Sequence, residues 1–466
     1  MAYSLTTAVT DDEKPHFLSF LDNARLFDKA STHGLFYKHA CVLLKCYAAW
    51  MRNRMYIKKI CLSEWQQFQE VDIEFHDRVT ILTGGNGSGK TTILNILAKH
   101  CGWNSVSLAT PRTESSTGIV KYFFRFFSGK DIGSNNSIGG ITYSNNVNSP
   151  LVANNGNSAQ YHVQIQKLQN IHSFYIPSHR PIFKYQQVGS IPTTKKNKQS
   201  AFQEVSQNNI QRYQGNGGQS SSFFMKNTLI GWVIQGYGVH NANKAIMPSD
   251  DEQIQNFEGF QKVLRKILPS SIGFEEIEIR NMEVVFVCNG GNDEFVLETA
   301  SGGISALIDI AWQIYMFSTK EKSDFTVIID EIENHLHPIM QRKVLPDLVN
   351  AFPNARFIVS THSPLVVGSV KDSAVYALKH NSAGKVDSHR LDLHHQAKNA
   401  IEVLDEILGV SFTMPIWVED KLNSINKKYE SSSADPRVFT LMRQDLAEIG
   451  LEKLLPQAIE KFMEGK

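Results

Sequence analysis

The apolar positions of this chain change period several times, and each change marks an expected element. Residues 56–62 and 71–75 alternate apolar and polar across a polar stretch at 66–70, which predicts two paired strands. Residues 79–83 form a short apolar run that ends in glycines, which predicts a buried strand. Residues 91–100 then predict a helix. Two later apolar runs, 325–329 and 356–360, have the pattern of strands covered on both faces. Between them, residues 338–349 predict a helix that opens with Pro338. Residues 275–288 predict a two-stranded unit turning near Asn281, and 305–319 a largely apolar helix.

Other stretches carry weaker patterns. Residues 1–54 predict one or two modest helices, at 15–27 and 34–51, in an N-terminal extension that a start at Met55 would omit. Residues 128–160 and 193–221 are rich in Asn, Ser and Gly, which predicts loops, a loose hairpin or mobile segments. Residues 119–127 are aromatic and strand-like, and 161–166 and 174–176 predict strands. Helices are expected at 223–235 and 252–268. The tail from Ala397 predicts helices, broken near 409–415 and 431–436.

Composition narrows the class. With 466 residues, 42% of them hydrophobic, the chain can bury a sizeable core in two or three domains. A formal net charge of +1 leaves any nucleic-acid contact to a local patch. Five scattered cysteines (Cys41, Cys46, Cys61, Cys101, Cys288) point to a reducing, cytoplasmic compartment. Nothing resembles a secretory signal, and no apolar run is long enough to span a membrane.

The chemistry is concentrated in four motifs. Gly84-Gly85-Asn86-Gly87-Ser88-Gly89-Lys90-Thr91 fits G-x-x-x-x-G-K-[ST] and lies between an expected strand and an expected helix. The glycines let successive amides turn inward on the phosphates of ATP, and Thr92 continues the cradle into the helix. Lys90 is expected to reach the β- and γ-phosphates, and the Thr91 hydroxyl to bind Mg²⁺. The apolar run 325–329 ends in Asp330-Glu331. Asp330 is expected to hold the same Mg²⁺, and Glu331 to act as general base toward water. Ser301-Gly302-Gly303 precedes a helix and forms an anion site there. Ser360-Thr361-His362-Ser363-Pro364 follows the next apolar strand.

This order of motifs resembles the ABC-type ATPases. The resemblance implies an α/β fold of the P-loop NTPase class with a mixed central sheet, an antiparallel β-lobe, an inserted arm and a helical C-terminal tail. It implies that two subunits sandwich ATP, with Ser301, Gly302 and Gly303 acting in trans and His362 contacting the γ-phosphate in cis. Transporter members usually have glutamine and proline where this chain has Ile304 and Ile332. Residues 329–338 and 360–364 instead resemble SMC-like bacterial ATPases related to recombination, repair and overcoming-lysogenization proteins. The tail lacks the paired acids of a Toprim nuclease. Length and motif set are then most similar to the ATPase subunits of Septu and retron-associated antiphage systems. That similarity implies an HNH-type nuclease partner and a reverse transcriptase–RNA complex as a further partner. The alternatives are a repair ATPase acting directly on DNA and, less favoured, a transporter subunit.

The expected organisation is an extension (1–54), the first part of the ATPase head (55–128), an insertion or arm (129–270), the second part of the head (271–380) and a helical tail (381–466). Several groups carry a second reading. Lys195, Lys196 and Lys198 form a solvated loop or touch phosphate backbone. Residues 122–127 form a buried strand or stack bases. His335 and His337 shape the segment facing a second subunit or bind a metal. His394 and His395 are read as surface residues.

Overall fold

The computed structural model describes residues 55–113, 120–123, 137–154, 159–213, 215, 219–241, 244–319, 324–391, 416–429 and 435–464. The helices expected within 1–54, the aromatic residues 124–127, His394, His395 and the break at 409–415 lie outside these residues. The described elements belong to one compact unit, residues 56–143 with 147–466.

The chain opens with strands β1 (Ile57–Trp65), β2 (Phe68–Glu74) and β3 (Val79–Gly84), followed by helix α1 (Lys90–Ala98). Short strands β4 (Ser107–Leu108), β5 (Thr110–Thr113) and β6 (Val120–Phe123) lead to β7 (Ser137–Tyr143), β8 (Asn148–Asn154), β9 (Gln160–Ile165) and β10 (Ser173–Ile176). Three helices follow, α2 (Lys198–Tyr213), α3 (Ser221–Tyr237) and α4 (Asp251–Ile267), with the hairpin β11 (Val239–Asn241) and β12 (Lys244–Met247) between the last two. A three-stranded sheet is made by β13 (Phe274–Arg280), β14 (Glu283–Cys288) and β15 (Asp293–Val296). Then come α5 (Gly302–Phe317), β16 (Phe325–Ile329), α6 (Pro338–Ala351), β17 (Ala355–Ser360), the single turn α7 (Pro364–Val367), β18 (Ala374–His380) and β19 (Val386–Leu391). The tail holds α8 (Ile416–Tyr429), α9 (Pro436–Glu448) and α10 (Leu455–Glu464).

Twelve strands form one mixed sheet in the order β10-β16-β17-β3-β18-β19-β2-β1-β7-β8-β9-β4. The first five run parallel. From β1 onward the pairs are antiparallel, which is the expected β-lobe, continuous with the core sheet. Every residue of β3 and β16 is buried, as the unbroken apolar runs require of strands covered on both faces. Helix α5 is buried along its whole length from Ser305 to Phe317. It packs with α2–α4 into the main core, where Trp232 and Trp312 lie 5.7 Å apart, centroid to centroid.

Three segments differ from their expected form. Residues 137–154 are two strands of the main sheet, because Ile138, Ile141, Tyr143 and Leu151 alternate inward. Polar residues 198–213 form α2, a helix seated on the core by Ala201, Val205 and Phe202, whose ring packs against Phe174 and Phe317. The expected arm is therefore not one excursion: it supplies the edge strand β10 and three helices of the core. The sheet also extends through β19, so the helical part of the tail begins later than 381. Helices α8–α10 pack on one another around Val418, Leu422, Met442, Leu446 and Phe462.

Candidate nucleotide site

Strands β16, β17 and β3 are parallel neighbours, so their C-terminal ends open on the same edge of the sheet. That edge is where open α/β sheets bind ligands. It brings together Asp330 after β16, Ser360 at the end of β17, and Gly84 at the end of β3.

At two places in the loop from Gly84 to Lys90, both the backbone and the space require glycine. Gly84 has φ 145°, and a Cβ there would meet the Leu378 carbonyl oxygen at 2.4 Å. Gly89 has φ 93°, and a Cβ would sit 2.3 Å from the Phe68 ring and 2.5 Å from the Gln67 amide. Asn86 and Gly87 are exposed at the tip, and Gly85 is half-buried. Lys90 is buried and donates to the carbonyls of Gly84 (2.9 Å) and Gly85 (3.1 Å). Burial lowers its pKa to about 8, against the pull of Asp330, Glu331 and Glu333. The Ser88 hydroxyl is buried and has no hydrogen-bond partner among the described residues.

The Thr91 hydroxyl donates to both carboxylate oxygens of Asp330, at 3.0 and 3.2 Å. Ser360 Oγ donates to Asp330 Oδ1 at 2.5 Å and accepts the Glu331 amide at 2.7 Å. Burial raises the Asp330 pKa, while Ser360 and Thr91 oppose the rise. Glu331 stands in the left-handed region at φ 46°, a strained backbone for a non-glycine residue and a frequent mark of functional sites. Its Oε2 accepts from Asn334 Nδ2 at 2.7 Å, and its Oε1 lies 3.9 Å from His362 Nε2. The His362 amide donates to Glu333 Oε1 at 2.5 Å. Burial, then Lys90, lower the His362 pKa, which keeps the ring neutral at pH 7.

These residues fit a Mg-nucleotide. The unpaired Ser88 hydroxyl and the Lys90 ammonium both belong to the phosphate loop. The adjacent Thr91 hydroxyl and Asp330 carboxylate form an all-oxygen donor set, which suits Mg²⁺. Thr92 is the third residue of α1 and is half-buried.

Ser301, Gly302 and Gly303 sit together at the N-terminus of α5, with Ser301 as N-cap and making no side-chain cap bond. No hydrogen bond ties them to the phosphate loop among the described residues. They pack instead against the segment after the acidic pair: a Cβ on Gly303 would lie 3.0 Å from the His335 carbonyl oxygen. His335 occupies a left-handed turn at φ 68°, and His337 Nδ1 caps α6 by accepting the Ile339 amide. No group of three or more His, Cys, Asp or Glu side chains that could hold a metal ion exists among the described residues.

Four contributors were not singled out for the roles they occupy. Ser360 links Asp330 to Glu331, Asn334 and Glu333 brace Glu331 and His362, and Arg180 lies beneath them. Arg180 is buried and donates through Nη2 to the carbonyls of Asp330 (3.0 Å) and Glu331 (3.3 Å), and through Nη1 to that of Pro177. Asn334 also reaches the Ser178 carbonyl at 3.0 Å, joining the turn after β10 to the acidic pair.

Residues 79–368, well over half of the chain, match the family described as "AAA domain, putative AbiEii toxin, Type IV TA system". The chain belongs to this family. Residues 57–99 also match the P-loop-containing region of the AAA domain. Among curated proteins the chain is similar to the Retron Vc95 probable ATPase of Vibrio cholerae, 28% identical over 186 residues. That match covers 37% of this chain and only 35% of the relative. The Septu protein PtuA of Bacillus thuringiensis is 22% identical over 377 residues, covering 78% of this chain and 87% of that protein. Among solved structures, the SMC head domain from Thermotoga maritima aligns with a TM-score of 0.39 and 14% identity, over 72% of this chain and 99% of that one. No helix among the described residues is long and apolar enough to cross a membrane.

Proposed function

We propose that this chain hydrolyses ATP at the Gly84–Thr91 loop and uses the cycle to make and break a homodimer that controls a partner nuclease. The observation that carries hydrolysis is the unbroken set of hydrogen bonds from Thr91 through Asp330 and Ser360 to the amide of Glu331. In this reading it couples the oxygens that would hold the metal to the residue that would handle water.

In this reading the loop amides, Ser88 and Lys90 hold the phosphates. Thr91 and Asp330 hold Mg²⁺, which when bound offsets charge on the phosphate oxygens. Glu331, oriented by Asn334, takes the proton from an attacking water. The water oxygen bonds to the γ-phosphorus, the bond from that phosphorus to the bridging oxygen breaks, and ADP leaves with the electron pair. His362, neutral and beside Glu331, contacts the γ-phosphate. Ser301 to Gly303 present an anion site held away from the chain's own loop, which supports a role for them on the nucleotide of a second, facing copy. The defence role and the nuclease partner, with a retron-type complex as a further partner, rest on likeness to proteins named for retron and Septu systems. A direct DNA role through the lysine run gains no support, because Lys195 pairs with Asp250 and Glu252, and Lys196 with Glu204.

The test is sedimentation and ATP turnover of Glu331→Gln beside wild type. Turnover should fall by roughly 10²–10⁴, the share of a general base. Mg-ATP binding should persist, and the variant should accumulate as a dimer or larger assembly. Normal hydrolysis by the variant would refute the assignment of Glu331. A monomer with ATP bound would refute the sandwich.

A further inference from the structure

Helix α3 carries a lysine with no exposed surface. Lys226 is 0% exposed, and its Nζ donates to Glu298 Oε1 at 3.2 Å, to the Gln186 carbonyl at 3.3 Å and to Glu283 Oε2. The Tyr185 ring lies over the ammonium, 4.8 Å from it at the centroid, and the Tyr185 hydroxyl donates to Glu283 Oε1 at 3.0 Å. The two carboxylates are not equivalent. The Glu283 side chain is 22% exposed and that of Glu298 is 2% exposed. A buried carboxylate is costly without a partner, so Lys226 is what keeps Glu298 inside.

Glu298 stands just ahead of Ser301, in the single turn Leu297–Thr299. That turn is closed by the Ala300 amide on the Leu297 carbonyl at 3.4 Å, and Leu297 is buried in the main core. Beyond it, Thr299, Ser301 and Gly302 are exposed, and continuous burial resumes at Ser305. Apart from the packing of Gly303 on the His335 segment, the Ser301–Gly303 element is therefore held from its two ends. One end is α5, and the other is the turn that Glu298 anchors. Neither Lys226 nor Glu298 bonds to the phosphate loop or to the acidic pair among the described residues.

We propose that the buried Lys226–Glu298 pair is a positioning pair for Ser301 to Gly303. It fixes that element where it meets the nucleotide of a facing copy, and so it rests on the trans reading of Ser301 to Gly303 given above. The pair acts through the backbone from 298 to 301 and touches no nucleotide itself. Removing the Glu298 carboxylate does not strand the cation, because Lys226 keeps Glu283 and the Gln186 carbonyl. Glu298→Ala thus cuts the link to Ser301 and leaves the anchor in place.

The experiment is subunit complementation with the full chain. Glu298→Ala is assayed for affinity toward a labelled ATP analogue and for ATP turnover, alone and after mixing with Glu331→Gln. Ser301→Arg is mixed with Glu331→Gln in the same way, as a lesion in the element itself. Turnover of Glu298→Ala alone should fall roughly 10- to 100-fold, the scale of a displacement of about 1 Å in a site. Its affinity for the analogue should match wild type. Mixing should restore turnover, because the Glu298→Ala copy still offers an intact loop and base while the Glu331→Gln copy offers an intact Ser301 element. Circular dichroism checks folding, and if Glu298→Ala does not fold, the shape-conserving Glu298→Gln decides in its place. Wild-type turnover by the variant alone would overturn the proposal. So would a loss that mixing does not repair while that of Ser301→Arg is repaired, since the pair would then serve the fold or its own catalytic centre. If neither variant were repaired, the trans reading of Ser301 to Gly303 would fall, and this role of Lys226 and Glu298 with it.

Discussion

Ser360 Oγ donates to Asp330 Oδ1 at 2.5 Å, across two adjacent parallel strands. The same hydroxyl accepts the Glu331 amide at 2.7 Å, so one side chain sets both the Asp330 carboxylate, proposed to hold the metal, and the strained backbone of Glu331, the proposed general base. Ser360→Ala removes both bonds without a clash. A hydrogen bond to a charged group is worth about 1.5–3 kcal/mol, so Mg-dependent turnover should drop by roughly 10- to 100-fold. Nucleotide binding measured in EDTA should be unchanged, because the loop amides and Lys90 are untouched. Equal losses with and without the metal would show that Ser360 acts on the loop instead.

The glycines of the phosphate loop are unequal. At Gly89 a methyl group would enter the Phe68 ring at 2.3 Å on a backbone at φ 93°. At Gly85 nothing lies within 4 Å of an added Cβ. Gly89→Ala should thus abolish nucleotide binding, with strain of about 1–3 kcal/mol added to the clash. Gly85→Ala should bind within a few-fold of wild type. Fluorescence titration with a labelled ATP analogue compares them, and similar behaviour of the two variants would contradict this account of the loop.

Asn334 holds Glu331 Oε2 at 2.7 Å while its donor also reaches the Ser178 carbonyl. With Asn334→Ala the carboxylate loses its orienting partner but not its chemistry. Turnover should fall by about tenfold, the worth of one hydrogen bond to a charged acceptor, with KM for ATP little changed. A rise in KM at constant kcat would place Asn334 in nucleotide binding.

The parts of the site legible in the sequence are those written as contiguous strings. The phosphate loop and Asp330-Glu331 can be read because a strand, a tight turn and a helix start each demand particular residue types in order. Ser360 was visible only as a member of the Ser-Thr-His string. Its bond to Asp330 depends on β16 and β17 being neighbours, which spacing does not state. Arg180 belongs to no contiguous motif, and its carbonyl partners lie 150 and 151 residues away. Helix α2 was missed for a different reason. Its sequence is polar, and tertiary contacts of a few residues outweigh weak local pattern. The nearby Lys198 lies 3.5 Å from the centroid of the Tyr315 ring and donates to the Ser318 carbonyl, so a run that reads as a solvated loop is partly a core contact.

Asp309 offers a measurement on stability itself. Burial, opposed by Gln313, Arg180, Arg212 and Ser221, moves its pKa from 3.8 up to about 6. A carboxyl whose pKa is higher in the folded state binds more protons folded than unfolded between those two values. Unfolding free energy from this group therefore falls as pH rises from about 4 to 6, and the penalty is fully present above pH 6. A shift of this size corresponds to roughly 3 kcal/mol at most. Asp309→Asn keeps an acceptor for Gln313 Nε2 and cannot ionise. It should raise Tm at pH 7.5, with the gain shrinking steadily as pH is lowered toward 4. Thermal unfolding of both proteins across that range checks it. A variant less stable than wild type at pH 7.5 would mean that the Asp309 charge is held by Arg180 and Arg212 more strongly than burial opposes it.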